Sequence, residues 1–493
     1  MKLAVVGAGV SGANIVRTLL NHPNFTTNDT IDVFEPREEL GPGMPYLTTD
    51  DESIMLNLSP DKLSVDFSNP LDFTEWLEKN YEEPRNFENL VSRPQYGKYL
   101  QERLAPYFEH KQVHHIQEEV EDLHVIEGQD HFLYDIQTSG AWSEASYDAV
   151  FLSIGHPPYN NFYDLIGKEN YIHNPYPMNE TLMELDPSKK IGIIGSGATG
   201  VDLMRFFDTH YTLEEPLTYY DIKEPFHFVK IPYEKKDVNL SFSMEWIEQQ
   251  KEHYEGFLPL SVVLELFYSD MAEKDINIQA VYEAYQTNDL ATAQKAIESN
   301  DQKLAYVQEY INRLIVFLPH LYNALDAEDR DVYMDKYYRV LDFFKSLVPY
   351  ETYKWLIDLV DAEKVRSVAD TKEITSEEDG SFTIERTDGT IEHADVLINA
   401  SGFNFKLSEL AKRSTLLHNL YNKKLIEPHR NGNFVFVNWP DANVVNQRFG
   451  TMKNLFFTGL LIGGTQHANN DAPLTMRQAI YSANAFMNRR SKE

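Results

Sequence analysis

The 493-residue chain contains no cysteine. That removes disulfides, thiolate nucleophiles and thiolate metal sites. Basic residues are also scarce: 44 Lys and Arg stand against 77 Asp and Glu, a net charge of −33. Such a balance argues against nucleic acid and anionic membrane surfaces as partners, because both require a basic footprint. No apolar run approaches the about 20 residues needed to cross a bilayer. The first strand pattern opens at Lys2, which leaves no room for a signal peptide, so a cytoplasmic location is the expectation. The histidines do not gather. His114 and His115 lie in a strand-like stretch, and His253 and His320 are too far apart to share a helix face, so no metal site is expected.

Glycine, by contrast, is placed with evident purpose. Gly7-Ala8-Gly9-Val10-Ser11-Gly12 directly follows the apolar run at residues 3–6, and Gly195-Ser196-Gly197-Ala198-Thr199-Gly200 follows residues 191–194. A lone GxGxxG is a weak signal, but each of these has strand before it and a helical pattern after it. The first glycine permits the tight turn, the second lets backbone approach a pyrophosphate, and the third lets helix and strand pack closely. The diphosphate then rests on unpaired N–H groups at a helix N-terminus. Two such sites imply two dinucleotides, a flavin and a nicotinamide. Residues 31–36 read as the second strand of the first unit and place Glu35, 23 residues after Gly12, to accept from an adenosine ribose. Residues 217–221 read as the corresponding strand of the second unit. Asp221 at its end favours NADH by the same logic, while Lys223 nearby suits a 2′-phosphate; the cofactor is therefore written NAD(P)H.

The length suits roughly three domains. The predicted organisation is a flavin domain over 1–180, a nicotinamide domain over 181–367 carrying a helical insertion at about 240–365, and the rest of the flavin domain over 368–493. Two aromatic stripes mark the insertion as a helical bundle with an apolar core. They are Val307, Tyr310, Ile311, Leu314 and Ile315, then Tyr337, Val340, Leu341, Phe344 and Leu347. Residues 148–155 and 395–402 share one pattern of acid, apolar strand and then glycine. Following two fingerprints, they suggest chain crossings between two dinucleotide domains, with Gly155 and Gly402 letting a chain or cofactor come close.

With those residues in hand, the chain resembles the two-dinucleotide-binding-domain flavoproteins. Within them it is similar to the bacterial FAD/NAD(P)-binding family that includes flavin-dependent amino-acid N-oxygenases. The segments that carry the likeness are residues 41–46 with 55–59, 93–100, 153–158, 399–403 and 454–459. Two departures stand out. Ile154 occupies a place where the family has Thr, and the stretch 337–348 lacks an arginine-rich segment. The resemblance implies an α/β fold of two Rossmann-type domains, one inserted in the other, with FAD and NAD(P)H as cofactors. It places the backbone of Val120 near the adenine, Asn57 near the flavin ring, and Gly155 and Gly459 at the flavin site. His156 beside two prolines reads as a loop residue rather than an acid or base. Asp471 reads as the cap of a helix starting near Leu474, with a flavin group against its N-terminus.

The expected activity is a monooxygenase: NAD(P)H reduces the flavin, and one atom of oxygen passes to a small amine or amino acid in a pocket shaped by the helical insertion. The alternatives are an NAD(P)H oxidase or reductase serving another acceptor, and a flavin-binding sensor without turnover. Disulfide reduction through a cysteine pair is excluded by composition.

Overall fold

The computed structural model describes residues 1–81, 90–128, 131–222, 226–235, 237–468 and 471–490, and counts of elements are of these residues. The chain opens as a β-α-β unit of β1 (Lys2–Val6), α1 (Val10–Asn21) and β2 (Thr30–Phe34). Leu3, Val5, Ile31 and Val33 bury against Ile15, Val16 and Leu19 of α1. α2 (Asp72–Asn80) and α3 (Arg93–Phe108) follow, the latter started by a capping box between Ser92 and Gln95. β3 (Val113–Ile116) rejoins the sheet. A meander of β4 (Val120–Glu127), β5 (Phe132–Thr138) and β6 (Ala141–Trp142) leaves it, and β7 (Ala149–Leu152) returns.

After Pro158 the chain enters a second unit. β8 (Tyr171–Ile172) and α4 (Met178–Thr181) lead to another β-α-β of β9 (Ile191–Ile194), α5 (Ala198–His210) and β10 (Leu217–Tyr220). β11 (Phe228–Val229) precedes nine helices, α6 (Met244–His253) to α14 (Tyr350–Asp361), with β12 (Leu347–Val348) set before the last. Then come β13 (Val365–Val368), a meander of β14 (Thr371–Ser376), β15 (Phe382–Arg386) and β16 (Ile391–Ala394), and β17 (Val396–Asn399). After Gly402 the chain is back in the first unit with α15 (Leu407–Leu410), α16 (Thr415–Asn422), β18 (Asn443–Asn446), β19 (Gly450–Phe457) and α17 (Ala472–Arg490).

The two main sheets repeat one plan. The first runs β18-β19-β7-β1-β2-β3 and the second β13-β10-β9-β17-β8. In both, the central β-α-β is followed by an excursion, an outer strand, a three-stranded meander and a strand that returns beside the first. The helical insertion of the second unit occupies the excursion that holds α2 and α3 in the first. Gln308, on the helix Gln302–Leu314, ties the insertion to β11: its amide donates to the Val229 carbonyl and accepts from the Ile231 N–H, both at 2.8 Å.

The compact units are Met1–Pro158 with Phe403–Glu493, and Tyr159–Gly402. The boundaries expected at 180 and 367 are therefore corrected. Residues 159–180 and 368–402 belong to the second unit, because β8 and β17 pair within its sheet. The stripes fare unequally. Val307, Tyr310, Ile311 and Leu314 are buried as bundle core. In the second stripe Phe344 is fully buried, whereas Tyr337, Val340 and Leu341 are half-buried and Leu347 lies in β12, because the helix breaks at Tyr337 and again at Ser346.

Candidate dinucleotide sites

Each fingerprint is built into its sheet by the same contacts. Gly7 donates its N–H to the Phe34 carbonyl at 2.8 Å, and Gly195 donates to the Tyr220 carbonyl at 3.0 Å. Both adopt positive φ, +92° and +94°. A Cβ on Gly7 would stand 2.2 Å from the Ser153 carbonyl oxygen, and one on Gly195 would stand 2.7 Å from that of Ala400. The first glycine of each motif is thus required twice, by its backbone angle and by the crossing strand pressed against it. The third glycine closes the turn: a Cβ on Gly12 would meet the Gly7 carbonyl oxygen at 1.9 Å, and one on Gly200 that of Gly195 at 2.9 Å.

The second glycines differ. Gly9 and Gly197 cap α1 and α5 with ordinary extended angles and no side-chain cap, and neither helix has an acid in its first turn. The leading N–H groups of a helix have no preceding turn to bond, so both ends are suited to an anion. A Cβ on Gly197 would meet nothing within 4 Å, whereas one on Gly9 would meet the Gly43 Cα at 3.3 Å. The loop that brings Gly43 there is anchored where Gly41 donates to the Ala8 carbonyl at 2.8 Å. Val10 and Ser11 begin α1, Ala198 and Thr199 begin α5, and Ser11 and Ser196 are buried at these turns.

The crossing acids have a definite task. Asp148 accepts the Lys2 N–H at 2.7 Å, and Asp395 accepts the Lys190 N–H at 2.8 Å, so each acid clamps the start of the central strand beside it. Gly155 and Gly402 share φ of +83°, and a Cβ on either would meet no protein atom within 4 Å. Their backbone angle, rather than the close approach of another chain, accounts for them. The hydroxyl lost at Ile154 has a neighbour in its stead: Ser153 Oγ and Thr458 Oγ1 lie 2.7 Å apart, one residue before Gly459. Gly459 has φ of +88°, and its Cβ would lie 3.6 Å from Ser11 Oγ, which brings the end of β19 to the first fingerprint. In the second crossing, buried Asn399 accepts from the Ser401 N–H and Oγ and donates to the carbonyls of Asn160 and His173.

The two strand-end acids are held differently. Glu35 is buried and accepts the Ala8 N–H at 3.0 Å, the Arg37 N–H at 3.2 Å, and the Arg37 guanidinium at 2.8 and 3.2 Å. Although burial works the other way, those donors hold its carboxyl below the usual range. Its four acceptor positions are filled. A ribose reaches it only as Arg37, one-third exposed, gives way. Asp221 is also buried. One oxygen accepts the Ser196 hydroxyl at 2.8 Å, and the other has no partner among the described residues. Burial pushes this carboxyl up to about 7. Lys223 lies outside the described residues.

Of the remaining predicted positions, Asn57 is exposed and its side chain makes no hydrogen bond among the described residues. Its segment is held by bonds from the Leu56 N–H to the Val91 carbonyl and from the Arg93 N–H to the Ile54 carbonyl, both at 2.8 Å. Val120 begins β4 and is buried in the first unit's core, as an ordinary strand valine would be. His156 packs on Phe403, ring centres 5.0 Å apart, and burial with the charge of Arg93 pushes its imidazole down to about 4. It is neutral at physiological pH, which fits the loop reading. Asp471 caps α17 by accepting the Leu474 N–H at 2.8 Å, while Asn469 and Asn470 of that loop lie outside the described residues. Sequence reasoning gave Arg37 no role, although a cation two residues beyond a strand-end acid is a readable signal; Arg93 stood in the likeness segment 93–100 without a role, because the His156 it acts upon is distant in sequence.

Residues 4–157 match a family model described as FAD-NAD(P)-binding. Solved structures match over nearly the whole length. Ornithine hydroxylase from Pseudomonas aeruginosa is 13% identical with a TM-score of 0.60, covering 99% of this chain and 98% of that one. L-lysine 6-monooxygenase from Pseudomonas syringae is 11% identical with a TM-score of 0.60, covering 100% and 99%. The chain has the fold of the two-dinucleotide-binding-domain flavoproteins. The ornithine N-hydroxylase of Kutzneria sp. 744, solved with reduced FAD, NADP+ and L-ornithine, shares it at 13% identity with a TM-score of 0.53, covering 99% of each chain. No curated protein matches. Among the described residues, no helix is long and apolar enough to cross a membrane.

Proposed function

We propose that this two-dinucleotide-domain protein is an FAD-dependent monooxygenase, reduced by NAD(P)H, that oxygenates a small amine or amino acid. The observation that carries the reading is the presence of two complete anion cradles in one chain that has no cysteine to relay electrons elsewhere. The match of residues 4–157 supports FAD at the first fingerprint. The residues there fit it: an uncapped helix end with no acid in its first turn, and a narrow approach between Gly9 and Gly43. Gly7, Gly9, Val10, Ser11, Gly12, Glu35, Val120, Gly155 and Gly459 would hold it, with Asn57 beside its ring. Gly195, Ser196, Gly197, Ala198, Thr199, Gly200 and Asp221 would hold the nicotinamide cofactor.

Bound there, FAD would supply two-electron chemistry, as acceptor of the NAD(P)H hydride and activator of oxygen. In the balanced reaction, NAD(P)H, a proton, dioxygen and the amine give NAD(P)+, water and the N-hydroxylated amine. This chain's own residues orient the two cofactors and exclude water, which keeps the activated oxygen from escaping as peroxide. The likeness in fold to enzymes whose names record ornithine and lysine supports an amine as the acceptor.

The test is oxygen uptake and NAD(P)H oxidation by the purified yellow protein against a panel of amines and amino acids. A substrate is expected to speed oxidation and to lower the peroxide released per turnover. A panel that never changes peroxide yield favours an oxidase or reductase, and negligible turnover favours a sensor.

A further inference from the structure

The two fingerprints carry a hydroxyl at the same place, Ser11 on α1 and Thr199 on α5. Each is the second residue of its helix, among the N–H groups that have no preceding turn to bond. What stands next to that hydroxyl differs between the copies. Beside Ser11 is Gly459, whose Cβ would lie 3.6 Å from the Ser11 Oγ and which has no side chain to offer a ligand. Beside Thr199 is the phenol of Tyr159, 40 residues earlier in the chain, with its Oη 3.5 Å from the Thr199 Oγ1. The second crossing sets this placement: the next residue, Asn160, donates its N–H to the Gly402 carbonyl at 2.9 Å and accepts the Asn399 amide at 3.0 Å. The Tyr159 ring is buried and packs edge-on to His173, centres 6.4 Å apart. Burial and ring packing would be served by phenylalanine and do not call for a hydroxyl. An O···O separation of 3.5 Å is too long for a good hydrogen bond, so the pair gives up little when an anionic oxygen accepts from both. The phenol adds a neutral donor to the N–H groups of the helix end, and the open space at Gly197 lets a diphosphate reach them.

We propose that Tyr159 is a binding residue of the second nucleotide site, its hydroxyl donating together with that of Thr199 to the diphosphate held at the start of α5. The proposal rests on residues 191–200 being the nicotinamide site. The diphosphate is common to NADH and NADPH, so the contact strengthens both alike and leaves the choice between them to other residues. It lies away from the reacting carbon and is made equally in ground state and transition state, so it sets KM rather than the limiting rate.

The test uses the FAD-loaded protein and ADP, which carries the diphosphate without the nicotinamide, with Kd read by titration calorimetry. Tyr159→Phe keeps the ring and removes only the hydroxyl. It is expected to weaken ADP by about 10- to 100-fold, the range of one hydrogen bond to a charged group. In bleaching of the flavin without oxygen, KM for NADH and for NADPH should rise by the same factor while the limiting rate stays near wild type. Thr199→Val should weaken ADP as well, and Thr199→Ser should bind it as wild type does. Unchanged ADP binding in Tyr159→Phe or in Thr199→Val overturns the proposal. So does a loss in Tyr159→Phe that comes with a lower limiting rate and a lower Tm, the mark of a packing role. Gly197→Val distinguishes the deeper failure. If that variant binds ADP as wild type does, the site reading itself is wrong; if it loses ADP while Tyr159→Phe keeps it, only the role of Tyr159 fails.

Discussion

Gly197→Val is the cleanest single perturbation the structure offers. Gly197 sits at φ −69°, ψ −160°, which any L-residue adopts, and an added Cβ meets no atom within 4 Å. The folding cost is limited to the poorer helix cap, about 0.5–1 kcal/mol, or a few degrees in Tm for a unit of this size. The cost to binding is much larger. The branched side chain fills the space through which a diphosphate reaches the first N–H groups of α5. Losing two charge-assisted hydrogen bonds at about 1.5–3 kcal/mol each weakens the nucleotide by about 3–6 kcal/mol, or roughly 10²- to 10⁴-fold. The variant should therefore purify yellow, melt within a few degrees of wild type, and resist reduction by NADH and NADPH at concentrations that saturate wild type. Gly195→Ala makes a poor substitute, because its Cβ would lie 2.7 Å from the Ala400 carbonyl oxygen at φ +94°, and lost activity would report a damaged crossing. Reduction of Gly197→Val at the wild-type rate and concentration would refute the assignment of residues 191–200 to the nicotinamide.

Gly9→Val should release FAD, and it should also cost stability, since its Cβ meets the Gly43 Cα at 3.3 Å; a variant that keeps its flavin contradicts the first site. Asn57→Ala should raise the peroxide released per NAD(P)H without loss of FAD, because an exposed amide with no hydrogen bond to the chain contributes nothing to folding; an unchanged peroxide fraction removes it from the site. Asn399→Leu should lower Tm by several degrees, because it strands the Asn160 and His173 carbonyls and loosens Ser401, with differential scanning calorimetry as the check. Asp221→Asn should be more stable than wild type at pH 8 and equal to it near pH 4. The folded carboxyl lies at about 7 against 3.8 ordinarily, so its favourable contribution is present below pH 4 and is lost as pH rises through 7; melting curves that stay parallel across that range contradict it.

Much of the fold was legible because its signals are local. The fingerprints are six-residue patterns whose turn, helix start and strand end are all set within one β-α unit, and the structure returns them as read. The repeated acid-strand-glycine pattern also marked the crossings, although the reason for the acids lay elsewhere: Asp148 and Asp395 bond the backbones of Lys2 and Lys190, 146 and 205 residues away. Distance in sequence explains the misses as well. The boundaries at 180 and 367 failed because β8 and β17 are short strands whose partners in the sheet are set by tertiary pairing. The stripe from Tyr337 to Leu347 kept helical spacing while the chain broke at both ends of the helix Tyr338–Lys345, since spacing alone does not record where a helix stops.

The duplication within the chain separates what folding requires from what chemistry requires. Where the two units agree, the residue is explained by its own chain: an acid clamping the central strand, a first glycine against the crossing carbonyl, a third glycine under the turn. Where they differ, the fold has no preference, since both versions support the same sheet order. Gly43 covers Gly9 while Gly197 stands open. Arg37 satisfies Glu35, while Asp221 keeps an oxygen unpaired among the described residues. A narrow, internally satisfied cradle suits a cofactor that stays through every turnover. An open cradle with an unmet acceptor suits one that arrives, gives up its hydride and leaves, because binding must be strong enough to select and weak enough to release. That contrast supports the proposal that the first unit holds the resident flavin and the second the exchanging nicotinamide, independently of any likeness to other proteins.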